Sequence, residues 1–271
     1  MSPETWALAV AAVLLTAAVV VEVTVLMTGS PGAGRRLLPG LWLAAAAAAA
    51  LVAALVLAVA DRQAWSPFDL QQIAISVATA TEVIYLALAV GLRVSGGGLP
   101  VGLTVLALTV FAWLGIGPGG SAPDAIQRGL AVQSQWVCFI AGSGSAIVAG
   151  CAGLALAVRA WLIGRGRELA WPRRADLHRL LNVAAWLAAV ALAAGLAVGT
   201  WWAWQATGSP GTGDPRVAWL AAAWLVALMS VWTYRLGERS GRWAAGFSVV
   251  AAALAIAGLL AVTDLRLILG L

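Results

Sequence analysis

The chain has no lysine and one histidine, His178, among 271 residues. It has two cysteines, and only 10% of its residues are charged. Each shortage removes a class of function. Acid–base and nucleophilic schemes need convergent His, Lys or carboxylate groups, and metal centres need several His, Cys or carboxylate ligands. No such cluster stands in the sequence, and no glycine-rich phosphate loop follows a strand. A catalytic role is therefore not expected. Cys138 and Cys151 form no CxxC pair. On one helix the rise per residue sets them about 20 Å apart, too far for a disulfide. They read as small buried hydrophobes.

Polar stretches long enough for a soluble domain are also missing. The chain is 62% hydrophobic, with a mean hydropathy of +0.95. A spanning helix takes about 20 largely apolar residues. Eight runs qualify, at roughly 5–28, 38–60, 72–94, 99–117, 130–162, 180–205, 216–235 and 243–263. The first lacks a basic leader and is long enough to span, so it reads as a retained helix and not a signal peptide. The expectation is an all-α polytopic membrane bundle of about eight helices, one integral domain over residues 1–271. Small residues, such as those from Ala44 to Ala50, the Gly-Ser-Gly-Ser run at 142–145 and Gly150, suit close helix crossings.

All 16 basic residues are arginine. Assigning the loops alternately puts twelve on one side, including Arg35, Arg36, Arg173, Arg174, Arg235 and Arg242. The other side receives four: Arg62, Arg128, Arg216 and Arg266. The positive-inside rule makes the richer side cytoplasmic, so both termini face out. The expected location is the plasma membrane, with multiple passes. The net charge of +5 is then a topology signal. The arginines sit in short juxtamembrane loops, which suits lipid headgroups and gives no continuous face for nucleic acid.

Two acids fall within spans, Glu22 and Glu82. An ionisable group in the bilayer is costly and marks either a proton or cation site or a buried polar link between helices. His178 falls in the charged loop from Gly164 to Arg179, where a lone histidine reads as solvated and not as a ligand. Most of the 15 tryptophans fall at span ends and suit the interfacial belt. Trp201, Trp202 and Trp204 crowd together at the outer edge, read here as a loop running into Asp214-Pro215-Arg216 and Trp219. With Trp136 they are either membrane anchors or a flat aromatic surface for a flat ligand.

Those residues carry a resemblance. Trp202, Ala203, Gln205, Ala206, Gly208, Ser209, Asp214, Pro215 and Trp219 match, in register, the tryptophan-rich "WWD" loop of the cytochrome c assembly family of haem-handling membrane proteins. Val132-Gln133-Ser134-Gln135-Trp136-Val137 resembles that family's helix start before the loop. Tyr234-Arg235, a short basic loop and the last helix also follow its pattern. The resemblance covers roughly residues 130–271; helices 1–4, roughly 5–117, lie outside it. The departures are specific. Thr207, Gly211 and Gly213 stand where the loop has tryptophans, and Pro210 where it has tyrosine. Arg216-Val217 replaces Lys-Glu. Ile140 and Thr233 occupy positions where the family carries histidine, and the chain ends at Leu271, about where a further one is expected.

The resemblance implies a non-catalytic membrane protein that handles haem in cytochrome c biogenesis or stabilises a partner membrane complex. The implied haem contacts are Trp136, Trp201, Trp202, Trp204, Trp219, Asp214 and Arg216. With the family histidines replaced, binding would rest on ring stacking, burial and propionate contacts, and would be weak or transient. The implied partners are other membrane subunits or a haem-carrying cytochrome partner, alongside the lipid bilayer itself. Two other readings stay open: a haem-free structural or regulatory subunit, and a proton-coupled transporter using Glu22 and Glu82. The second expects internal repeats with broken helices, and none is evident.

Overall fold

The structure, a computed structural model, describes residues 2–28, 38–62, 65–66, 69–94, 98–114, 129–166, 173–209, 214–236 and 241–260. Every expected run is helical: α1 Pro3–Thr28, α2 Leu38–Arg62, α3 Leu70–Gly91, α4 Gly98–Trp113, α5 Leu130–Ile163, α6 Arg174–Thr207, α7 Pro215–Arg235 and α8 Gly241–Leu260. No strand occurs among the described residues. Seven of the helices are long and apolar enough to cross a membrane. The eighth, α4, has 16 residues. The molecule is a polytopic helical membrane bundle. Pro210, Gly211, Gly213, Arg35, Arg36, Arg128 and Arg266 lie outside the described residues, as does the chain after Leu260.

Two expected boundaries move. Helix α6 begins at Arg174, where the apolar run starts only at 180, so His178 sits on the helix and not in a loop. It also continues to Thr207, which makes Trp201, Trp202 and Trp204 helical as well. Hydropathy dates the hydrocarbon, whereas caps decide where a helix stops. Here the stop is Gly208, whose φ of 70° lets its N–H close back on the Trp204 carbonyl.

Successive helices run antiparallel, which gives the bundle two ends. One carries Asp69, Trp136 and Asp214; the other carries Arg174, Arg235 and Arg242. Helix α5 is the hub. A Cβ on Gly142 would lie 2.9 Å from the Leu192 backbone of α6, and one on Gly144 would lie 3.0 Å from the Thr81 backbone of α3. A Cβ on Gly153 would lie 2.7 Å from the Ala245 carbonyl of α8. The small residues of this helix thus let three others approach at backbone distance. Aliphatic side chains fill the rest of the core, including Leu8, Leu51, Ile147, Leu180 and Leu220, all fully buried.

Helices α7 and α8 are also pinned by polar contacts. Ser230 Oγ donates to the Ala244 carbonyl at 2.9 Å and lies 2.7 Å from Ser248 Oγ, both serines being buried. Ser230→Ala should therefore lower stability by about 1 kcal/mol, the usual net worth of a buried hydrogen bond. Reversible unfolding in detergent would measure this, and an unchanged value would mean that Ser248 and the Ala244 carbonyl find other partners.

Candidate functional site at the Asp214 end

Helix α7 opens with a capped turn. Asp214, in extended conformation, accepts the Arg216 backbone N–H at 2.9 Å, and Pro215 takes the first helical position, where no N–H is needed. The cap brings the Arg216 side chain back onto the same carboxylate. Its Nε lies 3.0 Å from both carboxylate oxygens, and Nη2 donates to Oδ2 at 2.7 Å. Arg216 is only 3% exposed. Its guanidinium carbon sits 4.6 Å from the centroid of the Trp136 ring on α5. Trp136 in turn meets Phe139 edge-on at 5.7 Å. A fork-to-carboxylate pair over an aromatic face joins α7 to α5 at this end.

Helix α6 is locked to the same point. Gln135, buried on α5, fills the space that a Cβ on Gly199 would need. Helix α8 closes against α7 where a Cβ on Gly258 would lie 2.8 Å from Trp219 Cβ. Of these residues, Gln135 falls in the Gln-Ser-Gln-Trp segment, while nothing in the sequence marks Gly199 or Phe139.

The expected site residues therefore divide into two groups. Trp136, Asp214 and Arg216 converge into a clamp. Trp201, Trp204 and Trp219 are 59%, 62% and 45% exposed. Trp202, on the other side of α6 from Trp204, packs partly against the core. These four indoles thus present faces outward or into the core, and among the described residues none of them stacks on another ring.

The positions where the resemblance expects histidine lie at different depths. Ile140 is one turn beyond Trp136 on α5, and Thr233 is 17 residues beyond Arg216 on α7. With Trp136 and Arg216 level, the helix rise sets the two roughly 20 Å apart along the bundle. The one histidine stands near the deeper position. His178 lies with its ring centroid 6.1 Å from that of Tyr234, at the arginine end. Arg174 Nε donates to His178 Nε2 at 3.3 Å, so that nitrogen is already an acceptor. His178 lines a cavity of about 770 Å³ between α5, α6 and α8, together with Arg159, Arg174 and Arg242. Among the described residues no group of three His, Cys, Asp or Glu side chains is placed to hold a metal ion.

The intramembrane acids are far from the clamp in sequence but close to each other. Glu22 of α1 and Glu82 of α3 line one small cavity with Tyr85. Nothing in their sequence separation indicated that they meet.

No family model and no curated protein matches the chain. A solved structure does: it is similar to the protein titled Cytochrome c Heme Lyase CcmF. The TM-score is 0.67 at 17% identity, covering 98% of this chain and 48% of that one. This likeness is one of fold. It extends over helices α1–α4, which the loop motif alone did not reach, and the chain spans about half the length of the protein that it matches.

Proposed function

We propose that the protein is a membrane subunit of the cytochrome c assembly type that handles haem as cargo, without catalysing a reaction on it. The observation that carries this reading is the Asp214–Arg216–Trp136 clamp, set at the end of a bundle with the fold of a haem lyase and beside the register-matched tryptophans. The clamp positions the contact surface. Exposed indoles of Trp201, Trp204 and Trp219 supply flat apolar faces, with Trp202 backing them. These residues suit ring contact and not iron ligation, since no histidine stands at this end. Haem would then be held weakly and passed on, on the extracytoplasmic side by the arginine count.

The test is haem titration of the full chain in lipid nanodiscs, read in the Soret region. Wild type should perturb the band saturably, and Trp204→Ala with Trp219→Ala should weaken binding about tenfold, from two stacking contacts of about 0.5–1.5 kcal/mol each. No perturbation by wild type would leave the haem-free reading, a structural subunit that stabilises a partner complex. The burial of Arg216 favours that second reading, because its guanidinium is already committed to Asp214. Co-purification from the native membrane followed by mass spectrometry would identify such a partner.

A further inference from the structure

We propose that Glu22 and Glu82 form a proton-binding pair, holding a single proton between their carboxyl groups with one water in the cavity they share. The pair is built from four helices. Glu22 comes from α1, and Glu82 and Tyr85 from α3, one turn apart. Helix α2 contributes Gly40 and Ala44, and α4 contributes Gly98 and Gly102. The absence of side chains on α4 is what makes room. A Cβ on Gly98 would collide with the Glu22 carboxylate and would lie 2.7 Å from the Tyr85 hydroxyl. Glu22 and Tyr85 therefore converge on one glycine, and Glu82 lines the same cavity. The Leu99 backbone hydrogen-bonds Glu22 from the same turn of α4.

Two features point to a ligand beyond the acids themselves. Glu82 is 1% exposed, yet its Oε2 has no hydrogen-bond partner among the described residues. Glu82 borders a cavity of about 10 Å³, near the smallest volume that admits one water. The lining offers no compensating positive charge: among the described residues α2 and α4 bring only glycine and aliphatic groups, and Tyr85 is the one further titratable group. Two charged carboxylates beside one small cavity, Glu82 fully buried and Glu22 half-buried, repel strongly. A proton on one of them reduces the charge to one, supplies a donor to the other and satisfies Oε2 through the water. A metal cation fits poorly, because six or more oxygens are the rule for hard divalent ions and the lining offers two carboxylates and a phenol. Glu22 lies six residues from the end of α1 and Glu82 nine from the end of α3. The pair is thus roughly 9–14 Å from the arginine end, a short route for a proton to enter.

Infrared titration of the full chain in nanodiscs reads the protonated carboxyl band directly. Wild type should show one such carboxyl from the pair, deprotonating in a single step as pH rises. Glu82→Gln should remove the partner charge and move the step of Glu22, and Glu22→Gln should do the same for Glu82. The double variant should lose the band entirely. Should Glu82→Gln fail to fold, Glu22→Gln alone still tests coupling, and Tyr85→Phe should shift the band frequency. A wild type with no protonated carboxyl, with two that titrate together as independent groups, or with a band unmoved by the partner's replacement would overturn the pair.

Discussion

Gly153→Leu is expected to be among the most damaging single changes in the chain, lowering stability by about 3 kcal/mol or more. A Cβ at this position would already sit 2.7 Å from the Ala245 carbonyl oxygen and 3.2 Å from its Cα, both backbone atoms of α8. A flexible side chain can rotate away from such a contact, but a helix backbone moves only by separating the two helices. Overpacking of a well-filled core typically costs about 1–3 kcal/mol, and here a whole isobutyl group follows the Cβ. Parting α5 from α8 would also strain the Gly150 contact one turn away, where a Cβ would meet the Ala252 methyl at 2.6 Å. Gly246→Leu is the control. It lies one residue from Ala245 on α8 but has nothing within 4 Å of its virtual Cβ. Its replacement should be neutral or slightly stabilising, because leucine is the better helix former by up to about 1 kcal/mol. Unfolding in detergent distinguishes the two. Equal losses would mean that the α5–α8 crossing does not set the stability of the bundle.

Gly153 also shows what the amino-acid sequence carries and what it leaves out. The bundle was legible because lipid imposes one rule on every segment: about 20 apolar residues with all backbone groups paired inside the helix. The Gly-Ser-Gly-Ser run announced close approach, and the structure gives each glycine its own neighbour. Gly153, Gly195 and Gly199 carried no such sign, because which helix face meets which neighbour depends on packing and not on local composition. The ends of α6 differ from those of its apolar run for a related reason: polar residues there still lie on a helix that runs past the apolar stretch to its cap at Gly208. The clamp was half legible. Asp214-Pro215 reads as a cap in any sequence, and Trp136 stood out through the resemblance. That Arg216 lies over Trp136, more than 70 residues away, needed the fold, as did the meeting of Glu22 with Glu82.

Arg216→Met should reveal what the clamp is for. The substitution keeps length and apolar stem but removes the guanidinium, leaving the Asp214 carboxylate, among the described residues, with its cap bond to the backbone N–H alone. Breaking a buried ion pair by deleting one partner costs about 3–5 kcal/mol. Asp214 keeps some exposure, its side chain being 18% accessible, and the helix start favours its charge, so the loss should fall nearer 2–4 kcal/mol, including the contact over Trp136. Arg216→Lys retains charge but not the two-pronged geometry and should land between the two. Asp214→Asn tests the other half: it keeps a capping oxygen yet strands a buried guanidinium, and it should cost at least as much as the lysine variant. If these losses appear in unfolding while haem affinity per folded molecule changes little, Arg216 positions the surface without touching cargo. If affinity falls at least tenfold with stability unchanged, Arg216 faces the ligand directly, and the Asp214 contact must open when cargo binds. The buried geometry favours the first outcome, because a guanidinium 3% exposed reaches a propionate only after leaving a carboxylate that it already holds at 2.7 Å.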